Sequence, residues 1–188
     1  RSPSIPVFFV TFFFLSMMLD ISKIGQVVVL SSRWPHLSPF VARVSIFGHI
    51  VSVLSLFAAG LYSGGIRMQR HGTVLFIGVL IAFSLSWLIP VDTSYLPDHL
   101  VYPAGVRASL EIALIGILVL AVVNFTQAAA SNQNLRLLLT AGAVAAMAVG
   151  RELLFYYADP LWIITGGTLV IVGSSVFAGQ HYRDFLVS

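Results

Sequence analysis

Long apolar runs fill almost the whole of this chain, and they constrain its fold more than any other feature. A helix needs roughly 20 mainly apolar residues to cross the hydrocarbon core of a bilayer. Backbone polar groups cannot stay unpaired in lipid, so each run is predicted to be helical. The sequence therefore predicts an all-α, polytopic integral-membrane bundle of six transmembrane helices. The predicted spans are residues 5–30, 39–62, 73–89, 106–128, 135–158 and 161–180.

The composition identifies lipid as the main solvent of this chain. Of its 188 residues, 58% are hydrophobic and 9% are charged, whereas soluble domains carry about 25% charged residues. So few charges cannot cover a water-facing surface. We therefore expect a single transmembrane domain over residues 1–188, with the lipid bilayer as its first partner.

Several function classes are disfavoured by what the chain contains. The net charge of +3 comes from scattered basic residues, without the clustering that nucleic-acid binding requires, so no nucleic-acid partner is expected. The absence of cysteine excludes thiolate catalysis and cysteine-ligated metals. The five histidines are isolated in the sequence and predict no metal site. No nucleotide-binding or hydrolase motif occurs, and the cofactor, if there is one, stays unidentified.

The distribution of basic residues between the loops predicts the orientation in the membrane. Basic residues in short loops concentrate on the cytoplasmic side. One side has five of them against three on the other, which places both termini in the cytoplasm of a plasma or inner membrane. The five are Arg1, Arg67, Arg70, Arg136 and Arg183, and the three are Arg33, Arg43 and Arg107.

Small residues recur at helical spacing in two of the predicted spans. Such seams let helix backbones approach closely in lipid, where burial of apolar surface no longer drives association. They indicate either packing inside the bundle or contact with another membrane subunit. The seam residues are Ser45, Gly48, Ser52, Ser55 and Ala59 in the second span, and Gly142, Ala146 and Gly150 in the fifth.

Charged residues inside the spans are the main indication of a functional site. A lone charge at a helix centre costs roughly 2.5–3.5 kcal/mol on insertion scales, so such residues usually pair or face water. Arg107 and Glu111 are four apart, and can pair along one helix face. Arg151 and Glu152 are adjacent and point about 100° apart, so each needs a partner on another helix.

The predicted threading places most of these charges in the outer half of the bundle. The functional interpretation is an outward-facing polar cavity for a ligand or ion. The structural interpretation is an ion-pair network that locks spans one, four and five together. If span one ends near Leu19, two of the residues become interfacial and the layer shrinks. The candidates are Asp20, Lys23, His49, Arg107, Glu111, Arg151 and Glu152.

Three functions are compatible with this pattern. The first is a non-catalytic polytopic subunit of a larger membrane assembly, which would expose a seam to other membrane subunits. The second is a carrier of a small solute or ion, which would have a cavity reaching the charges. The third is a membrane-embedded enzyme that uses Glu111, Glu152 and His49 on a lipid-linked substrate. Such an enzyme would have a cleft open sideways to lipid beside a titratable pair.

Overall fold

The described part of the chain is helical throughout its regular structure. The computed structural model describes residues 4–21, 38–64, 71–90, 104–132, 135–156 and 159–187. Six α-helices and one 3-10 turn lie in these ranges. They are α1 (Ser4–Met17), the turn at Met18–Ile21, α2 (Ser38–Ser63), α3 (His71–Leu88), α4 (Ala104–Asn132), α5 (Leu135–Tyr156) and α6 (Pro160–Val187). The predicted all-helical fold class is thus confirmed.

Four of these helices are long and apolar enough to cross a membrane, as expected of an integral membrane protein. They are α2, α4, α5 and α6, with apolar spans over Pro39–Ser63, Ala108–Ser131, Leu135–Tyr156 and Pro160–Gln180. The other two apolar helices, Ile5–Met17 and Gly72–Leu88, are shorter. Within the residues that the structure describes, four spans therefore qualify by length rather than the predicted six.

The first helix ends earlier than the sequence pattern predicts. The apolar pattern indicates one span over residues 5–30, but α1 ends at Met17 and a 3-10 turn follows to Ile21. Asp20 lies in that turn, and aspartate favours turns and caps over helix interiors because it competes for backbone hydrogen bonds. The regular α-helix thus ends close to the alternative end near Leu19, where this polar residue interrupts the apolar pattern.

Helix α2 lies at the centre of the bundle. It packs against α1, α3 and α4 and meets α5 more narrowly, while α5 packs between α4 and α6. The five predicted seam residues of α2 are all buried. A methyl group on Gly48 would lie 2.8 Å from the Ser16 carbonyl oxygen, and one on Gly60 would lie 2.9 Å from that of Ala121. Small residues on α2 therefore set its distance from both α1 and α4.

The closest glycine contact joins α5 and α6. A methyl group on Gly150 would lie 2.6 Å from the Gly166 carbonyl oxygen, and one on Gly173 would lie 2.6 Å from that of Ala143. Of the residues in the predicted α5 seam, Gly150 lies in this close contact, whereas Gly142 is exposed and has open space around it. Eight residues advance an α-helix about 80° beyond two full turns, so these two glycines do not share one face.

Alanine at Gly166 should destabilise the α5–α6 contact, whereas alanine at the neighbouring Gly167 should not. The Gly166 methyl group would lie 2.8 Å from the Gly150 carbonyl oxygen, while Gly167 has open space. We expect Gly166→Ala to cost about 1–3 kcal/mol of unfolding free energy, as for other overpacked contacts. Gly167→Ala should change it by less than about 1 kcal/mol, towards greater stability, because alanine is the better helix former.

Denaturant-induced unfolding in detergent micelles, followed by circular dichroism, measures both variants. Equal stability of the two would contradict the close α5–α6 approach.

Candidate functional site

The predicted site residues fall into two groups in the structure. His49 on α2, Glu111 on α4, and Arg151 and Glu152 on α5 have described side chains. Asp20 lies in the 3-10 turn and Arg107 near the start of α4, but the positions of their side chains are outside the described set, as is Lys23 altogether. The site is therefore built from α2, α4 and α5.

Arg151 occupies the interface between α5 and α2. Its side chain is fully buried, and its Nε–H donates a hydrogen bond to Ser52 Oγ at 3.0 Å. The Ser52 hydroxyl in turn donates to the His49 carbonyl oxygen at 2.7 Å. A buried guanidinium is stable only where neighbouring groups satisfy its donors. Ser52, predicted only as a packing residue, is thus a polar partner of the buried Arg151 guanidinium.

Glu152 reaches the same part of α2 as its neighbour Arg151. Its Oε1 lies 3.5 Å from Nε2 of His49, whose side chain is fully buried, while 16% of the Glu152 side chain is exposed. The pair is ionic only when His49 is protonated, and otherwise a neutral imidazole faces the carboxylate. Arg151 and Glu152 thus have separate interhelical partners, three residues apart on α2.

Phe155 joins these two contacts. Its ring stacks on the imidazole of His49 with centroids 3.8 Å apart and planes 9° from parallel. The Arg151 guanidinium carbon lies 5.5 Å from the centroid of the same ring. Tyr156 meets the His49 ring edge-on at 5.7 Å. Aromatic faces attract cations and stack well on planar groups, so Phe155 holds both basic side chains in place.

A cleft between α4 and α5 begins beside this polar cluster. Its volume is about 550 Å³, within the range of about 300–1,000 Å³ that is usual for small-molecule sites. Three of its lining residues are polar, namely Glu111, Glu152 and Tyr156. The others are Ile115, Leu118, Val119, Val122, Val123, Ala145, Ala148, Val149 and Leu153.

The polar residues lie at one end of this cleft and the apolar residues fill the other. Helices α4 and α5 are joined by a short connection after Asn132, so their chains run in opposite directions. Glu111 near the start of α4 therefore lies level with the end of α5, where Glu152 and Tyr156 are found. Val119 and Val149 line the cleft and are more than half exposed. The cleft thus opens sideways, between exposed apolar side chains of the two helices.

The described charges divide between two places. Glu111 and Glu152 line the cleft, whereas Arg151 and His49 are buried between α2 and α5. The contacts of Arg151 and Glu152 link α2 with α5. The sequence does not reveal these contacts, because Ser52 and His49 lie 99 or more residues from their partners Arg151 and Glu152.

Two residues of the site were not among the residues predicted from the sequence. Phe155 and Tyr156 resemble the aromatic residues that are common near a membrane interface. Tyr156 follows Glu152 by four residues and Phe155 follows Arg151 by four, so each aromatic shares a helix face with a charge. That spacing is the signal that could have identified them. Among the described residues, no group of three or more histidine, aspartate or glutamate side chains is placed to hold a metal ion.

Comparisons of this chain with models of protein families, with curated proteins and with solved structures found no match.

Alanine at Ser52 should destabilise the fold more than alanine at Ser55. Both serines are buried on α2, but Ser55 donates to Val51 of its own helix, while Ser52 accepts the hydrogen bond of Arg151. Removing one partner of a buried charged group costs about 1–3 kcal/mol. We expect Ser52→Ala to lose that much unfolding free energy, and Ser55→Ala to lose less than about 1 kcal/mol.

The free energy of unfolding in detergent micelles measures the difference between the two variants. Equal losses would show that the Arg151 contact with Ser52 contributes nothing to the α2–α5 junction.

Proposed function

We propose that this chain is a non-catalytic membrane protein that binds an amphipathic small molecule in the cleft between α4 and α5. It acts either as a carrier of that molecule or as a membrane-embedded receptor for it. The observation that carries the proposal is the lining of that cleft. Apolar residues form most of its walls, and Glu111, Glu152 and Tyr156 lie at one end. A molecule with one polar end and one apolar end matches that division.

The sideways opening supports entry from the bilayer rather than from water. Ile115 and Val119 on α4 and Val149 on α5 line the cleft and are about half exposed. An amphiphile already dissolved in the membrane meets such a surface directly. This opening favours the carrier interpretation over that of a subunit in a larger assembly. The exposed apolar faces of α3 and α6 match lipid as well as they match protein, so they do not favour an assembly.

A membrane-embedded enzyme is the second candidate, and the same cleft is what favours it. Glu111 and Glu152 line one opening to lipid, and His49 lies behind Glu152 at 3.5 Å. Two carboxyl groups in different surroundings can serve as acid and base. Loss of turnover of a lipid-linked substrate in both Glu111→Gln and Glu152→Gln, with binding retained, would favour this candidate over a carrier.

Filling the cleft should abolish binding without unfolding the protein. Ala145 lines the cleft and is half-buried, so Ala145→Phe places an aromatic ring in its apolar part. Ala113 is exposed on α4 outside the cleft, so Ala113→Phe is the matched control. We expect native mass spectrometry in mild detergent to find a bound small molecule in the parent protein and in Ala113→Phe, and none in Ala145→Phe.

Equal occupancy in Ala145→Phe and Ala113→Phe would contradict the proposal. A copurifying membrane subunit in place of a small molecule would support the assembly interpretation instead.

For the topology, we propose that α1 with its 3-10 turn and α3 are the two further spans, with both termini cytoplasmic. Helix α3 has 18 residues, about 27 Å at 1.5 Å per residue, which is close to the hydrocarbon thickness. The chain contains no cysteine, so single cysteines report the side of each loop. We expect Ser32→Cys and Asp98→Cys to react with an impermeant maleimide in intact cells, and Ser131→Cys to react only after permeabilisation.

Protection of Ser32→Cys in intact cells would show that the first helix does not cross the membrane. Reaction of Ser131→Cys in intact cells would contradict the proposed cytoplasmic position of the termini and support the opposite orientation.

A further inference from the structure

A cation and an exposed aromatic ring meet at one end of α2 and α3. Arg43 lies about 8 Å beyond the first residue of α2, and Trp87 lies next to the last residue of α3. The Arg43 guanidinium carbon is 4.9 Å from the centroid of the Trp87 ring. Arg43 is half-buried, and about half of Trp87 is exposed. The pair therefore lies on the surface of the bundle, near the ends of two helices.

Trp87 covers one face of the guanidinium but accepts none of its hydrogen bonds. Among the described residues, no acidic side chain forms an ion pair with Arg43, and its buried Nε has no hydrogen-bond partner. A charge beside hydrocarbon is costly unless a counter-charge compensates it. A guanidinium stacks on an aromatic ring through its face and binds phosphate oxygens through its edge. The indole thus supplies the first kind of partner, and an oxyanion would supply the second.

We propose that Arg43 and Trp87 bind the phosphate of an anionic phospholipid at the membrane interface. The ends of membrane-spanning helices lie at the level of the lipid head groups, where tryptophan is common and basic residues attract anionic lipids. Phosphatidylcholine carries its own ammonium group, so its neutral head group gains less from the guanidinium. This site is separate from the α4–α5 cleft, which neither residue lines, and the proposed function does not depend on it.

The surface of α3 next to this pair fits the acyl chains of such a lipid. Phe83 stacks on Trp87 with ring centroids 5.7 Å apart and planes 18° from parallel. Phe76, Leu80, Phe83 and Trp87 follow one another at helical spacing and are all about half exposed or more. From Phe76 to Trp87 this face extends about 17 Å at 1.5 Å per residue. That is close to the depth of one leaflet, half of a hydrocarbon core of about 30 Å.

Quenching of Trp87 fluorescence by brominated lipid tests the site. The chain has three tryptophans, so Trp34→Phe and Trp162→Phe leave Trp87 as the only reporter. The full chain is placed in phosphatidylcholine vesicles that contain a minor fraction of phosphatidylglycerol, with bromine on one lipid or on the other. We expect phosphatidylglycerol to be enriched about fivefold beside Trp87, the scale of one basic residue at an anionic surface.

Matched variants in this background assign the enrichment to Arg43. Arg43→Gln should abolish it, and Arg43→Lys should lose most of it, because lysine keeps the charge but not the planar fork. Arg136 is exposed at the start of α5, which the contact of Glu152 with His49 places at the opposite end of the bundle. Arg136→Gln should therefore leave the enrichment beside Trp87 unchanged. Circular dichroism shows whether each variant is folded.

The outcomes that contradict the site are distinct. Equal quenching by the two brominated lipids would overturn it, as expected if another group of the chain neutralises Arg43. Unchanged enrichment in Arg43→Lys would overturn the guanidinium contact, and this variant decides the question if Arg43→Gln does not fold. An equal loss in Arg136→Gln would show a general effect of positive charge. Loss of the enrichment on addition of glycerol phosphate would show that the site takes free phosphate rather than a lipid.

Discussion

The junction between α2 and α5 is the contact on which the rest of this bundle depends. In lipid, apolar burial gives helices no reason to associate, so they are held by close packing and by polar contacts. Helix α2 supplies close packing to α1 and α4, and α5 supplies it to α6. The two groups meet along the packed faces of α4 and α5, and at the polar contacts of Arg151 with Ser52 and of Glu152 with His49. A buried guanidinium and a buried imidazole thereby fix α5 at one position against the central helix.

This junction also explains where the cleft lies. Adjacent residues on a helix point about 100° apart, so Arg151 and Glu152 cannot both lie fully inside the same interface. Arg151 takes the buried position, and Glu152 stays at the edge with part of its side chain in the cleft. Helix α4 supplies the opposite wall and brings Glu111 to the same end. The arrangement that holds the helices together therefore also places a carboxylate in the cleft.

The sequence predicted the parts of this arrangement that depend on one helix at a time. Apolar length predicted α2, α4, α5 and α6, and the adjacency of Arg151 and Glu152 predicted separate partners on other helices. The identity of those partners depends on how helices distant in sequence rotate against one another, which spacing does not encode. Local structure accounts for two further details. The alternative in which span one ends near Leu19 named the region where α1 ends. Repeats of four residues drift around a 3.6-residue helix, which is why Gly142 is exposed although Gly150 is buried.

Glu152 links the stability of the bundle to whatever occupies the cleft. Its carboxylate faces His49 on one side and the cleft on the other, and charge near the membrane interior is costly unless it is compensated. An occupant that reaches this end of the cleft would therefore contact the same carboxylate that faces His49 across the α2–α5 interface.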